Sequence, residues 1–159
     1  MRDEYVRYIM ERYPTPNLEE RASVLGRRFE ALLIDGLLVV VLVAVVSYLL
    51  GTTLLGGRFG GLGATIVGVQ FGAPLLLLGY QTGMEGYYGQ TLGKRLRGIV
   101  VVREDGTDLS WGGALVRNLL RIVDALPVFY VLGIVTAYLT DDHQRVGDLA
   151  GSTVVVRTA

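Results

Sequence analysis

The sequence predicts an all-α polytopic membrane protein, a helical bundle with a small extramembrane β-hairpin or strand element. Three apolar segments, at about 31–50, 62–83 and 114–139, predict the helices. A helix over residues 31–50 would be roughly 30 Å long, which matches the thickness of a bilayer core. Two valine-rich runs outside these segments predict the strands.

The composition favours the same class. Of the 159 residues, 51% are hydrophobic and 19% are charged. A soluble protein that buried two such apolar runs would have too little polar chain left to cover them. The formal net charge of zero gives no sign of a nucleic-acid partner. The absence of cysteine excludes disulfides, thiol catalysis and cysteine metal sites.

Residues 1–23 are predicted to form a polar, amphipathic segment ahead of the membrane domain. A short interfacial helix would carry three side chains on one face, namely Tyr5, Tyr8 and Ile9. Asn17 is expected to cap the helix that leads into the first span. Because that span follows a charge-rich segment, we expect it to stay in the membrane and not to be removed as a signal peptide.

The second apolar segment follows a glycine-rich loop at 51–63 and has a small residue at every fourth position. These residues are Ala64, Gly68 and Gly72. Such spacing lets two helices approach closely. Pro74 removes the helical hydrogen bond to the carbonyl of Gln70, so a kink is expected there. Three segments are few to enclose a solute path, so we expect a homo-oligomer with this small-residue face as an interface.

The polar link after the second segment predicts headgroup contacts and a β-element. Lys94, Arg95 and Arg97 are expected at the level of the lipid headgroups. Ile99–Val102 is a strand-like run, and the following Asp105-Gly106 is a hairpin turn signal. The second strand is expected at Val154–Val156, near the carboxyl end.

The third apolar segment has two interpretations. Arg117, Arg121 and Asp124 lie on one helical face, and Pro127 interrupts the segment after them. The part beyond the proline would be only about 18 Å long as a helix, which is short of a full crossing. It is therefore either one kinked span with the carboxyl terminus outside or a helical hairpin. We favour the hairpin, because it returns Val154–Val156 to a position beside the first strand.

The distribution of basic residues predicts the orientation of the chain in the membrane. Six arginines precede the first span, the loop after it has only Arg58, and four basic residues follow the second span. The positive-inside rule then places the N-terminus in the cytoplasm of a multi-pass cell-membrane protein.

Asp35 is the unusual residue of the first span, because a carboxylate inside a membrane is costly. On insertion scales an aspartate at mid-span costs about 2.5–3.5 kcal/mol. Arg28 lies two turns earlier on the same face, too far away along the axis for direct contact. A pairing of Asp35 with Arg117 or Arg121 would lower the cost. Three hypotheses stay open: a structural ion pair, a proton or monovalent-cation site, and an arginine-lined site for an anionic ligand.

Four blocks of the sequence resemble the RDD family of small membrane proteins. They are RFEALLIDG from Arg28, GQTLGKRLRGIVVVREDG, ALVRNLLRIVDALP, and HQRVGDLAGSTVVVR, and together they cover roughly residues 24–157. The family is named for one arginine and two aspartates, which the resemblance matches to Arg28, Asp35 and Asp148. Many relatives have a charged third segment, which the resemblance matches to Arg117, Asn118, Arg121 and Asp124.

The resemblance implies an integral membrane protein for which transport, including cation/proton exchange, has been suggested. The ligand candidates are therefore Arg28, Asp35, Arg117, Arg121, Asp124 and Asp148. The expected partners are membrane lipids and a monovalent cation or proton. A non-transporting membrane adaptor, or an assembly or lipid-binding partner, is the alternative. Neither an enzyme nor a cofactor or metal is expected, because His143 is the single histidine and no nucleophile–base pair is evident.

Overall fold

The computed structural model describes residues 14–17, 24–124, 148 and 150–158, and the side chains of residues 121–124 are outside this description. The predicted interfacial helix near the N-terminus lies outside the described residues. The same holds for the second half of the third apolar segment. Within the described ranges the chain forms two long helices, two shorter helices and a small sheet.

In the described part of the chain, two helices are long and apolar enough to cross a membrane. Helix α1 is Leu25–Leu54, and the second is a continuous helix over Gly57–Tyr88, with mean hydropathies of 2.7 and 1.7. In the most apolar part of each helix only 11% of the residues are buried. The core helix of a soluble protein would instead be mostly buried, so these exposed apolar surfaces indicate a membrane protein.

The turn between the two long helices is much shorter than the loop predicted at 51–63. Helix α1 continues to Leu54, and helix α2 (Gly57–Val67) begins after only two intervening residues. Gly56 and Gly57 have φ angles of 85° and 62°, a backbone conformation that glycine adopts without strain. The glycine-rich stretch therefore provides a tight reversal and a helix–helix contact, and most of it is helical.

The small-residue face of the second long helix packs against α1 of the same chain. A Cβ added at Gly51 would be 2.5 Å from both the Gly60 carbonyl oxygen and the Ala64 Cβ. A Cβ at Gly68 would strike Ser47. The predicted close approach of helices is thus present, but it is intramolecular. Oligomerisation remains a prediction, and the face that we expected to serve as its interface is already occupied.

A π-helical turn at Gly68–Gly72 interrupts the second long helix, and helix α3 (Ala73–Tyr88) follows it. The N–H of Ala73 donates to the carbonyl of Gly68, five residues earlier. Pro74 is the second residue of α3 and has no N–H to donate. The irregularity expected from this proline is therefore a widened turn immediately before it.

Three short strands form one antiparallel sheet at one end of the helices. They are β1 (Pro16–Asn17), β2 (Ile99–Arg103) and β3 (Thr153–Thr158), in the order β1-β3-β2. Val100 pairs with Val156, and Val102 pairs with Val154. The predicted β-element is thus present, with the valine runs paired as expected. A hydrogen-bonded turn follows β2, where the Gly106 N–H donates to the Arg103 carbonyl over 2.8 Å.

Asn17 lies in β1, where it pairs with Arg157. The residues that it was expected to cap lie at 18–23, outside the described part of the chain, so its role as a cap stays a prediction. Helix α1 begins at Leu25, and no side chain caps its first turn.

The sheet brings the segment before α1, the link after α3 and the carboxyl end to the same end of the molecule. The hairpin interpretation of the third apolar segment falls mostly on residues outside the described part of the chain, so it stays a prediction. The link contains helix α4 (Leu92–Leu96), and helix α5 (Trp111–Asp124) follows β2.

Helix α5 buries polar side chains and exposes apolar ones, which is the reverse of the arrangement in a helix of a soluble protein. Its polar side chains Arg117 and Asn118 are buried, whereas Trp111, Leu115 and Leu119 are exposed. Such an arrangement is stable where the surroundings are apolar and the charges are paired inside the protein.

Replacing Gly51 by leucine should destabilise the contact between the two long helices. The new Cβ would overlap the backbone of Gly60, so one helix must move, at a cost of about 1–3 kcal/mol. Thermal unfolding in detergent measures the effect. Gly63→Leu is the matched control, because a Cβ there meets nothing within 4 Å. Equal unfolding temperatures for the two variants would contradict this packing.

Candidate functional site

Among the described residues, six ionisable side chains lie buried near the sheet end of the helices and are called the buried charge cluster here. They are Arg28, Asp35, Glu85, Lys94, Arg117 and Asp148, each 6% exposed or less. Three are cations and three are acids, so in their charged forms the charges cancel. Balance matters because an uncompensated charge away from water costs several kcal/mol, of order the stability of a whole domain.

Asp148 joins two arginines from different helices. Its Oδ2 is 2.7 Å from Nη1 of Arg28 on α1, and its Oδ1 is 2.7 Å from Nε of Arg117 on α5. Asp148 precedes β3 and is 2% exposed. The aspartate thereby fastens the carboxyl end of the chain to both helices.

Glu85 is the second acidic centre, and it lies on the last turns of α3. Its Oε1 is 2.5 Å from Nζ of Lys94 on α4. Its Oε2 accepts from Nη1 of Arg117 over 3.3 Å and from Nδ2 of Asn118 over 3.2 Å. Because Arg117 contacts both Glu85 and Asp148, these two centres form one connected network.

Asp35 has a different kind of environment. Its Oδ1 accepts from the Tyr80 hydroxyl over 3.2 Å and from the Gly93 N–H over 2.8 Å. Its Oδ2 accepts from the Thr91 hydroxyl over 2.5 Å. All three donors are neutral. In the part of the chain that the structure describes, no cationic side chain pairs with Asp35, although it is only 1% exposed.

Helix α4 is held against α1 by these bonds. Thr91 is its N-cap, and the hydroxyl that donates to Asp35 also accepts from the N–H of Lys94. The Tyr80 hydroxyl accepts from the N–H of Leu92 over 2.9 Å.

Helix α4 also approaches α1 closely. A Cβ at Gly93 would collide with the carbonyl oxygen of Ala31, so the close approach requires glycine. The first turn of this short helix thus contacts Asp35, and the helix positions Lys94 beside Glu85.

The structure brings the predicted site residues together in different pairs from those expected. Arg28 and Asp35 lie on one helix face but contact different partners. Arg117, the expected partner of Asp35, binds Asp148 and Glu85 instead. The side chains of Arg121 and Asp124 are outside the described part of the chain, so their place in the cluster stays a prediction.

Two cluster residues escaped the sequence reasoning. Glu85 lies just past the predicted end of the second span, and the helix continues to Tyr88. Lys94 was expected at the lipid headgroups, but it is buried because Glu85 faces it. The sequence contained a signal for Glu85, because Gln81 and Glu85 are two polar residues one turn apart at the end of an otherwise apolar helix. In the structure both side chains are buried.

Comparison with known proteins gives a family match. The sequence model described as the RDD family matches residues 22–152, which is more than half of the chain. No curated protein and no solved structure gives a significant match. Together with the two exposed apolar helices, the match supports an integral membrane protein.

The Lys94–Glu85 contact should be strongly coupled in a double-mutant cycle. Lys94→Met leaves an excess negative charge in the cluster and should cost about 3–5 kcal/mol. Glu85→Gln leaves an excess positive charge and should cost a similar amount. The double variant restores the balance, so its cost should be well below the sum. Detergent unfolding curves give the coupling free energy, and simple additivity would contradict the ion pair.

Proposed function

The chain belongs to the RDD family, and on that premise we propose that it exchanges protons for a monovalent cation across the membrane. Asp35 holds the proton or the cation in turn. One observation carries this proposal: of the three buried carboxylates, Asp35 alone has only neutral donors among the described residues. Glu85 and Asp148 each contact two cationic side chains.

The difference decides which carboxylate can exchange ions. Protonating Glu85 or Asp148 would break ion pairs and leave buried arginine or lysine charges uncompensated. Protonating Asp35 leaves the cluster with one excess positive charge, but it breaks no ion pair among the described residues and requires that one neutral donor turns away. The same carboxylate can take a cation at the positions where the hydroxyl hydrogens now point.

The two hydroxyl groups can follow such an exchange. The oxygens of Tyr80 and Thr91 each donate to Asp35 and accept one backbone N–H. Each oxygen has a second lone pair, which suits it to coordinate a small hard cation beside the carboxylate. Proton and cation then compete for the same group, which is the requirement for exchange.

A non-transporting role as a membrane adaptor or assembly partner is the second candidate. The overall charge balance of the cluster favours it, because a charge-balanced network can simply fix the helices and the sheet. In this case Asp35 serves to hold α4, and the protein would be inert to ion gradients.

For the topology, we propose a multi-pass cell-membrane protein with its N-terminus in the cytoplasm. The arginine-rich N-terminal segment supports this orientation by the positive-inside rule. In this proposal the link after α3 and the carboxyl end lie in the same compartment as the N-terminus, which the shared sheet supports, and Arg58 lies on the opposite side.

Asp35→Asn should abolish cation-dependent proton flux. Asparagine keeps the size and an acceptor oxygen for the Gly93 N–H, but it cannot exchange a proton or neutralise a cation. Wild-type proteoliposomes should collapse an imposed pH gradient when sodium or potassium is added, and the variant should match empty vesicles. Glu30→Gln is the control, because this acid is on the same helix but half exposed. No flux from folded wild-type protein would refute transport.

Single-cysteine labelling tests the topology cleanly, because the chain has no cysteine of its own. An impermeant maleimide should label Arg58→Cys in intact cells. Arg103→Cys, at the exposed end of β2, should react only after permeabilisation. The reverse pattern would contradict the cytoplasmic N-terminus, and labelling of both would show that the two sites do not lie on opposite sides.

A further inference from the structure

Helix α4 has an exposed face that the ion site does not use. Its buried face carries Gly93 and Lys94, which contact α1 and Glu85. Leu92 and Leu96 are one turn apart and are both exposed, Leu96 to 67%. Arg95 is exposed next to Leu96 and forms no ion pair with any described residue. An apolar pair with an adjacent arginine is stable where water meets hydrocarbon.

The charge around this face is positive. Arg97 is exposed at the end of α4, and its Nε is 3.0 Å from Oε2 of Glu30 on α1. Arg27 donates from Nη1 to the Arg97 carbonyl over 2.8 Å, which brings its guanidinium to the same place. Together with Arg95, this face has three arginines and one glutamate, so its net charge is +2. We call Arg27, Glu30, Leu92, Arg95, Leu96 and Arg97 the α4 surface.

The α4 surface adjoins an apolar stripe on α1. Leu33 and Leu37 follow Glu30 by three and seven residues, so they continue along the same helix face. Both are more than half exposed. A molecule seated on the arginines would therefore have hydrocarbon-compatible surface directly above it.

We propose that the α4 surface binds the headgroup of an anionic phospholipid. The lipid phosphate lies at Arg95 and Arg97, because planar guanidinium groups match phosphate oxygens and carry a permanent charge. The leucines of α4 enter the upper acyl region, and the lipid chains run along Leu33 and Leu37. A zwitterionic lipid has no net charge to complement the surplus arginines, so the surface discriminates between lipid classes.

A soluble anionic partner fits this surface less well. It would have to contact the arginines while leaving the adjoining leucines of α1 and α4 in lipid. The proposal requires that the chain is embedded in a membrane, but it does not depend on ion exchange at Asp35. Lipid selectivity and ion flux can therefore fail separately.

Lipid retention tests the proposal directly. The full chain is purified in mild detergent with an equimolar mixture of phosphatidylglycerol and phosphatidylcholine, and native mass spectrometry counts the lipids that remain bound. The wild type should retain phosphatidylglycerol several-fold over phosphatidylcholine. Arg95→Gln combined with Arg97→Gln should bring the ratio close to one. Arg58→Gln, which removes one exposed arginine at the other end of the helices, should keep the wild-type ratio.

Two further measurements make the outcome decisive. Unfolding of the double variant in lipid-free detergent should match the wild type, so that loss of lipid reflects the surface and not misfolding. Arg95→Lys should retain part of the selectivity, because it keeps the charge without the planar fork. An unchanged lipid ratio in the double variant, or an equal loss in Arg58→Gln, would overturn the proposal.

Discussion

The cost of burying charge constrains the whole structure. Membrane-spanning helices cannot leave ionised side chains in hydrocarbon, so each charge must find a partner inside the protein. Here the partners come from separated parts of the chain: Arg28 and Asp148 are 120 residues apart, and Arg117 joins them to Glu85. Satisfying these groups fixes how α1, α3, α4 and α5 stand relative to each other and where β3 begins.

Helix α4 connects this network to the acid that stands apart from it. Its first turn bonds the carboxylate of Asp35, and Lys94, three residues after the cap, reaches Glu85. A change of occupancy at Asp35 would therefore reach the ion pairs through one short helix. The same helix carries the exposed arginine and leucine side chains of the proposed lipid site.

The sequence was sufficient for the long helices and the valine strands and insufficient for the contacts between the charged side chains. The apolar runs predicted both long helices and the valine runs predicted β2 and β3, because these signals are local and periodic. The hairpin interpretation of the third apolar segment placed the two valine runs side by side. The resemblance drew attention to Arg28, Asp35 and Asp148, and all three are buried. It could not say that Arg28 meets Asp148 while Asp35 meets hydroxyl groups, because that depends on how the helices cross.

The central claim is that Asp35 is the one cluster carboxylate that changes its protonation when a cation arrives. Infrared difference spectroscopy of reconstituted protein, recorded in acidic buffer before and after addition of a monovalent cation, tests it most directly. The account predicts loss of a single protonated-carboxyl C=O band, absent from the spectrum when residue 35 is asparagine, with Glu85 and Asp148 silent. A band that persists in that variant, or no carboxyl change at all in the wild type, would contradict it.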